Sequence, residues 1–331
     1  QLAAYTDGSG NPTEGSVPYF ERQGHTGFLD ARRALSPSYH LQFSEALANF
    51  ALHCARPIVE AFDGRLIYAG GDDVVALLPA DTALRCAEAL RAAFQGSLAL
   101  PGLLAAAPNP PEFNFTVPTP GFLARSDYRE DMMNRTTGTP IPFIVPGPAA
   151  EVSVGLAIAH FKSPLQDAVR AAQAAEKRAK RAPDKDGLGR AAVSLRLMKR
   201  SGEILDWGAK WGGGLALYHA LAAALDAEQL AGKFPHRICE ILTPFLCLKP
   251  QPGRTPAITD TVDFPIAAIA RAEFTRLLAQ HQTPTFSADT HSALTTALDA
   301  YLATLAERTP TQIAESLIGL CTAVAFAHRT R

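Results

Sequence analysis

The sequence has few cysteines, and none of them is spaced for zinc binding or for a disulfide framework. The five are Cys54, Cys86, Cys239, Cys247 and Cys321, an odd number without any Cys-x-x-Cys pair. Such spacing argues against a structural zinc site and against a secreted disulfide scaffold. Free thiols are typical of a reducing compartment, so the sequence predicts a cytoplasmic location.

An excess of charge and a long apolar run are lacking as well. The 31 Lys and Arg are balanced by 32 Asp and Glu, which excludes a polycation that binds nucleic acid through its overall charge. The apolar stretches end well before the roughly 18 residues that a membrane helix needs. Hydrophobic residues still make up 47 % of the 331 residues, enough for globular cores in about two domains.

Apolar periodicity divides the chain into three parts, an irregular segment 1–35, an α+β domain 36–205 and an all-α domain 206–331. In the α+β domain, residues 101–148 hold ten of the 25 prolines and are predicted to be an insertion with little regular structure. After about Asp206 strand signals vanish. The helical domain is predicted to contain helices over 215–225, 234–248, 266–278, 291–305 and 311–327.

The order of elements in the α+β domain predicts a ferredoxin-like fold from which one strand is missing. A helix from Ser38, ended or kinked at Pro57, is followed by two short strands, a helix capped by Asp81, the insertion, and then a strand, a helix and a strand. One further strand in front completes βαββαβ. Because the chain opens at Gln1 without an initiator Met, we expect that first strand upstream of Gln1.

A Gly-Gly-Asp-Asp sequence, residues 70–73, lies where the two short strands turn. Two adjacent carboxylates repel each other, and a divalent cation with oxygen ligands removes that repulsion. The glycines would let a triphosphate approach the backbone. An ordinary hairpin turn prefers the same residue types, which is the alternative. Predicted burial of Tyr68-Ala69 and Val74-Val75 on both sides of the tip favours a functional site.

In its context this motif resembles the second palm domain of the large, polymerase-like subunit of type III CRISPR effector complexes. The resemblance is strongest over 64–79 and covers about 35–212, with the features around 199–202 and 207–211 similar to the Cmr branch of that family. It implies that the chain is the C-terminal portion of such a subunit. The matching segments follow one another in the expected order, at 35–40, 64–79, 154–162 and 174–180.

The resemblance implies a nucleotidyltransferase that converts ATP into cyclic oligoadenylate when the complex recognises target RNA. Asp72 and Asp73 would be the catalytic, metal-binding pair for two Mg²⁺ or Mn²⁺ ions, and Gly70 and Gly71 would contact the nucleotide. The implied partners are the other subunits, a guide crRNA and target RNA. The family also has a metal-binding Asp on its first palm strand, and no such segment stands in that context here.

Four further residues are candidates for nucleotide binding. The resemblance favours Lys162 and Lys177 as triphosphate ligands, whereas a solvated basic helix face is the alternative and is the preferred interpretation of Arg178. Ser36 and His40 stand at a predicted helix N-terminus, which suits anions. Capping explains Ser36 equally well.

Two other functions remain open. Without the first-strand Asp, the chain would be a catalytically inactive scaffold that senses target RNA in the same complex. A diguanylate-cyclase-like enzyme is the third hypothesis, because its palm is related. Those enzymes carry Glu within the hairpin motif, whereas Asp73 is followed by Val74 here. The nucleotide that is consumed, ATP or GTP, separates these hypotheses.

Overall fold

The computed structural model describes residues 36–127, 139–183, 187–246 and 264–328, and the backbone of residues 5–6 and 12–13. The chain forms two compact units, Gln1–Glu45 and Ala46–Arg331. In the first unit, strand β1 (Tyr5–Thr6) pairs with the antiparallel strand β2 (Pro12–Thr13).

The predicted helix from Ser38 is confirmed, and of the two outcomes predicted at Pro57, an end or a kink, the structure shows a local distortion of a continuing helix. Helix α1 (Pro37–Asn49) leads into a π-helical turn, Phe50–Ala55, and then into α2 (Arg56–Ala61). In a regular α-helix the Pro57 ring would clash with the His53 carbonyl, and a wider π-turn relieves that clash. The His53 carbonyl instead accepts a hydrogen bond from Arg125 Nη1 at 2.8 Å.

The two short strands form an antiparallel hairpin, β3 (Arg65–Gly70) and β4 (Asp73–Leu77), followed by α3 (Ala83–Gln95) and α4 (Leu100–Ala105). The predicted cap residue Asp81 is wrong, because Thr82 occupies the N-cap position of α3. The Thr82 hydroxyl does not cap the helix and donates to the Phe62 carbonyl at 2.9 Å.

The proline-rich insertion has more regular structure than predicted. Besides α4 it contains an antiparallel sheet in the order β5-β6-β7, while residues 128–138 lie outside the described residues. Phe115, Leu123 and Val145 hold this sheet in place, because all three are buried in the same core as α3. The strands are β5 (Phe115–Thr119), β6 (Phe122–Arg125) and β7 (Phe143–Ile144).

A second, three-stranded sheet has the order β10-β9-β8. The parallel strands β8 and β9 are joined through helix α5, whereas β9 and β10 are antiparallel. Strand β10 was missed by the sequence analysis, which expected no strand after about Asp206. The elements are β8 (Val154–Ala159), α5 (Leu165–Lys180), β9 (Ala192–Met198) and β10 (Ile204–Lys210).

The rest of the chain is helical, as predicted. Its elements are α6 (Gly213–Asp226), α7 (Phe234–Leu242) with a 3-10 turn at Thr243–Phe245, α8 (Ile266–His281), α9 (Ala288–Thr304) and α10 (Pro310–Ala327). Helix α10 has the length and composition of a membrane-spanning helix, but 56 % of it is buried inside the molecule. Core helices commonly have this property.

Two hydrophobic cores hold the second unit together. One lies among α2, α3, α4, the hairpin and the β5–β7 sheet. The other combines the β8–β10 sheet with the C-terminal helices. Within it the indole nitrogen of Trp207, a residue that is 1 % exposed, donates to the Tyr301 hydroxyl at 3.2 Å. The proposed boundary between residues 205 and 206 therefore falls inside a strand and inside one core.

Candidate active site at the β3–β4 hairpin

The Gly-Gly-Asp-Asp sequence forms a tight two-residue turn. Gly70 pairs with Asp73 across the hairpin, so that Gly71 and Asp72 are the central turn residues. Gly71 has a φ of +62°, and Asp72 does not share this left-handed conformation. A positive φ at the first central position alone is the pattern of a type II′ turn, which favours glycine there.

The two carboxylates at the tip project into solvent. Asp72 and Asp73 are both exposed, and among the described residues neither carboxylate has a hydrogen bond or an ion pair. Since nothing in this part of the chain compensates their charge, they are available to a cation. No third His, Cys, Asp or Glu within the described residues joins them in a metal-binding group. The fit to Mg²⁺ is therefore partial, although Mg²⁺ commonly takes its other ligands from water and phosphate.

Of the two glycines, only Gly71 has a backbone conformation that favours glycine, and only Gly71 has open space where a Cβ atom would be. A Cβ atom on Gly71 would meet nothing within 4 Å, whereas a Cβ on Gly70 would collide with the end of the Tyr68 side chain. The Tyr68 ring therefore covers Gly70 and not the turn. A ligand that approaches the backbone finds its opening at Gly71.

The predicted burial of both flanks is wrong for two of the four residues. Tyr68 is 55 % and Val75 45 % exposed, while Ala69 and Val74 are half-buried. The hairpin turns one face toward the core and leaves the other uncovered, and a bulge at 66–68 breaks the alternation in β3. Ile67 and Leu77 extend this uncovered apolar face. The strand sequences do not show which face of the hairpin is exposed, because the residues on both faces are apolar.

Ser36 and His40 lie in the unit Gln1–Glu45, whereas the hairpin lies in Ala46–Arg331. The Ser36 hydroxyl accepts a hydrogen bond from the backbone N–H of Tyr39 at 3.2 Å, which is a helix-capping bond. His40 is exposed, and its ring stands edge-on to the Tyr39 ring. Their role in nucleotide binding stays a prediction.

Lys162 and Lys177 lie at opposite ends of α5. Lys162 is in the β8–α5 turn, where its ammonium nitrogen is 5.6 Å from the Phe161 ring centroid. Lys177 is exposed in the last turn of α5. The dozen helical residues between them span about 18 Å. This separation argues that the two side chains do not bind the same phosphate group.

Arg178 packs against the β8–β10 sheet and has a side-chain partner within the chain. Its guanidinium donates to the Ser194 hydroxyl on β9 at 3.2 Å, and burial lowers its pKa. The two tryptophans are packed as well. The Trp211 indole nitrogen, just after β10, donates to the Val152 carbonyl, just before β8, at 2.8 Å.

Comparison with known proteins agrees with the resemblance. Residues 23–105 match the family model of the second palm domain of Cas10/Cmr2. The chain is 32 % identical over 174 residues to the CRISPR system Cmr subunit Cmr2 of Pyrococcus furiosus, which is 52 % of this chain and 14 % of that protein. It is 36 % identical over 83 residues to Cmr2 of Saccharolobus solfataricus, 25 % of this chain and 8 % of that protein.

The matches thus span only 14 % and 8 % of the length of these curated relatives. The hairpin lies inside the segment matched to the second palm domain, and both relatives are Cmr-type subunits. The segment that carries the hairpin is therefore similar to the second palm domain of Cas10/Cmr2, and the chain is similar to Cmr-type Cmr2 subunits over about half of its length.

Proposed function

We propose that this chain supplies the palm of a nucleotidyltransferase that joins ATP into cyclic oligoadenylate when its complex binds target RNA. One observation carries the proposal. An exposed Asp72–Asp73 pair, whose carboxylates have no partner among the described residues, stands on a type II′ turn within the segment matched to the second palm domain. The proposal assigns the pair to metal binding and catalysis.

The residues at the tip have separable roles in this proposal. Asp72 and Asp73 would hold Mg²⁺ or Mn²⁺ through their carboxylates. Bound there, the cations supply the charge that activates a 3′-hydroxyl and stabilises the departing pyrophosphate. Gly71 leaves room for a phosphate to approach the backbone, because apart from its chain neighbours no described residue lies within 4 Å of the position of its missing Cβ. Gly70 places Asp73 at the first position of β4.

We further propose that an additional strand pairs between β4 and β8 and completes a ferredoxin-like palm. In that fold the first strand lies between the second hairpin strand and the strand after the second helix. Two features support the idea: β8 is the edge strand of its sheet, and the hairpin forms a sheet of its own among the described residues. In the resembling family this strand carries the third carboxylate.

The proposed partners are the other subunits of a type III CRISPR complex, guide crRNA and target RNA, in the cytoplasm. The support is the naming of both relatives as Cmr subunits. A palm that produces a signal on target recognition needs contact with the RNA-binding subunits. The charge balance of the chain leaves RNA contacts to local patches.

A second candidate function is a catalytically inactive scaffold that senses target RNA in the same complex. The specific observation in its favour is that the described residues supply two carboxylates and no third ligand. If no further carboxylate joins them, two-metal catalysis is impaired while assembly is unaffected.

Mass spectrometry of the products from ATP and Mg²⁺ or Mn²⁺ tests the proposal. The full-length subunit is used in its complex with guide and matching target RNA, beside Asp72→Asn/Asp73→Asn and the surface control Asp81→Asn. We expect cyclic oligoadenylates from wild type and control, and at least a hundredfold less from the double variant.

Two results contradict the proposal. A complex that binds target RNA but releases no product supports the scaffold. Conversion of GTP into a cyclic dinucleotide supports the diguanylate-cyclase-like alternative.

A further inference from the structure

Helices α7 and α10 bring two cysteines together in the helical core. Cys239 on α7 is half-buried, whereas Cys321 on α10 is 1 % exposed. The Cys239 sulfur donates to the Ile318 carbonyl at 3.7 Å and lies 3.6 Å from the Thr322 hydroxyl, and these two residues flank Cys321 on α10. The two thiols also lie close enough for each to shift the pKa of the other.

The environment makes the two thiols unequal. The neighbouring Cys321 thiol and the Thr322 hydroxyl lower the pKa of Cys239 despite its partial burial. The neighbouring Cys239 thiol and complete burial raise the pKa of Cys321. A partly exposed thiol of lowered pKa beside a second thiol is the arrangement in which oxidation ends in a disulfide.

The other described cysteines lack these features. Cys54 and Cys86 are fully buried in the other core, and burial raises the pKa of both thiols, that of Cys86 to about 12. They are therefore internal controls. Cys247 lies outside the described residues.

We propose that Cys239 and Cys321 form a reversible disulfide that links α7 to α10 when the protein meets a hydroperoxide. The Cys239 thiolate attacks one peroxide oxygen and the O–O bond breaks, which gives a sulfenic acid and hydroxide, and the hydroxide takes up a proton. The Cys321 sulfur then attacks the Cys239 sulfur, and the departing hydroxide takes the Cys321 proton. In sum two thiols and one hydrogen peroxide give one disulfide and two waters.

The surroundings leave room for this bond. A small apolar cavity beside the pair is lined by Leu217, Ile238, Leu317 and Cys321, among other residues. It gives the side chains of α7 and α10 space to adjust when a contact between the two thiols becomes a shorter covalent bond.

Peptide mapping of the full chain under non-reducing conditions, after treatment with hydrogen peroxide, tests the proposal. We expect one cross-linked pair of peptides, one containing Cys239 and the other Cys321. Dithiothreitol should separate the pair by reducing the disulfide. The cross-link should vanish in Cys239→Ser and in Cys321→Ser and persist in Cys86→Ser, each made in a Cys247→Ser background.

The Cys321→Ser variant adds a second readout. With its partner thiol removed, Cys239 should accumulate a sulfenic acid that reacts with dimedone. The proposal is overturned if wild-type Cys239 stops at a sulfenic or sulfinic acid, if it pairs with another cysteine, or if it stays reduced. Because the wild-type map alone decides between these results, a variant that fails to fold does not obscure the answer.

Discussion

Gly71 and Gly70 are adjacent in sequence, but a side chain is disfavoured at the two positions for different reasons. At Gly71 the φ of +62° strains any residue with a Cβ, although space around it is open. At Gly70 the backbone is extended and the obstacle is the Tyr68 side chain, which is 55 % exposed and can move away. The cost of substitution is thus conformational at Gly71 and steric at Gly70.

We expect Gly71→Ala to lower the free energy of unfolding by about 1–3 kcal/mol, because a residue with a Cβ is strained at this positive φ in a type II′ turn. Urea denaturation measures the change. Gly102→Ala is the control of opposite sign. Gly102 lies inside α4 with nothing within 4 Å of its Cβ position, and alanine there should stabilise by about 0.5 kcal/mol. Equal effects of both variants would contradict this interpretation of the turn.

At the scale of elements, the π-turn before Pro57 depends on a residue from the insertion. Arg125 on β6 reaches the His53 carbonyl, makes a bidentate pair with Asp127, and lies 4.0 Å from the Phe113 ring centroid. Its side chain is 15 % exposed. One guanidinium thereby joins the insertion to the helix that precedes the hairpin.

We expect Arg125→Met to lower the free energy of unfolding by about 2 kcal/mol, because it leaves a partly buried carbonyl without this donor. Arg56→Met is the matched control. Arg56 makes an exposed ion pair with Glu60 at 3.5 Å, and its loss should change stability by at most about 0.5 kcal/mol. Similar losses in both variants would show that the bond to His53 adds nothing.

A second connection links α3 to the segment before β8. Arg91 and Glu151 form a bidentate pair with distances of 2.6 and 2.9 Å, and the Arg91 guanidinium lies 5.3 Å from the Trp211 ring centroid. The hydrogen bonds from Arg91 lower the pKa of Glu151. A carboxyl whose pKa is lower in the folded state stabilises at neutral pH and loses that effect as pH falls.

We expect Glu151→Gln to lose about 0.5–1 kcal/mol of stability at pH 7, a small value because the pair is partly exposed. The difference from wild type should shrink as the pH falls from the ordinary pKa of a glutamate carboxyl through the lowered pKa of Glu151, where the wild-type carboxyl becomes protonated. Denaturation curves over this pH range measure it. Glu240→Gln, in an exposed pair with Arg237, should stay near wild type throughout. A difference independent of pH would contradict the assigned cause.

At the scale of the whole molecule, the β8–β10 sheet and the C-terminal helices share one core. Leu195 on β9 and Leu217 on α6 are both almost completely buried in it. A cavity made on either side of the core should therefore destabilise both parts together.

We expect Leu195→Ala and Leu217→Ala each to cost about 2–4 kcal/mol and to shift one common transition. Circular dichroism follows the helices, and the fluorescence of Trp207 and Trp211 follows the region of β10. The exposed Leu98, replaced by Ala, should leave the transition in place. If the two probes gave different unfolding midpoints, the result would support two separate domains with a boundary near residue 206.

Sequence periodicity located the helices and the hairpin because each shows its period within a few residues. It missed β10, because Trp207-Gly208-Ala209-Lys210 has no clear alternation and is fixed as a strand by pairing with β9. The small β5–β7 sheet was missed for the same reason, since prolines mask a pattern that tertiary packing completes. At the site, Asp72 and Asp73 were identifiable from the motif. The exposure of Val75 was not, because it depends on which of the two apolar faces of the hairpin packs against the core.

The uncovered face of the hairpin has a consequence for handling the protein. Ile67, Val75 and Leu77 stand side by side on a two-stranded sheet. Apolar strands with free edges recruit further strands, from another copy if nothing else covers them. We therefore expect the solubility of this chain in isolation to depend on the exposed apolar residues of the hairpin more than on its near-neutral charge.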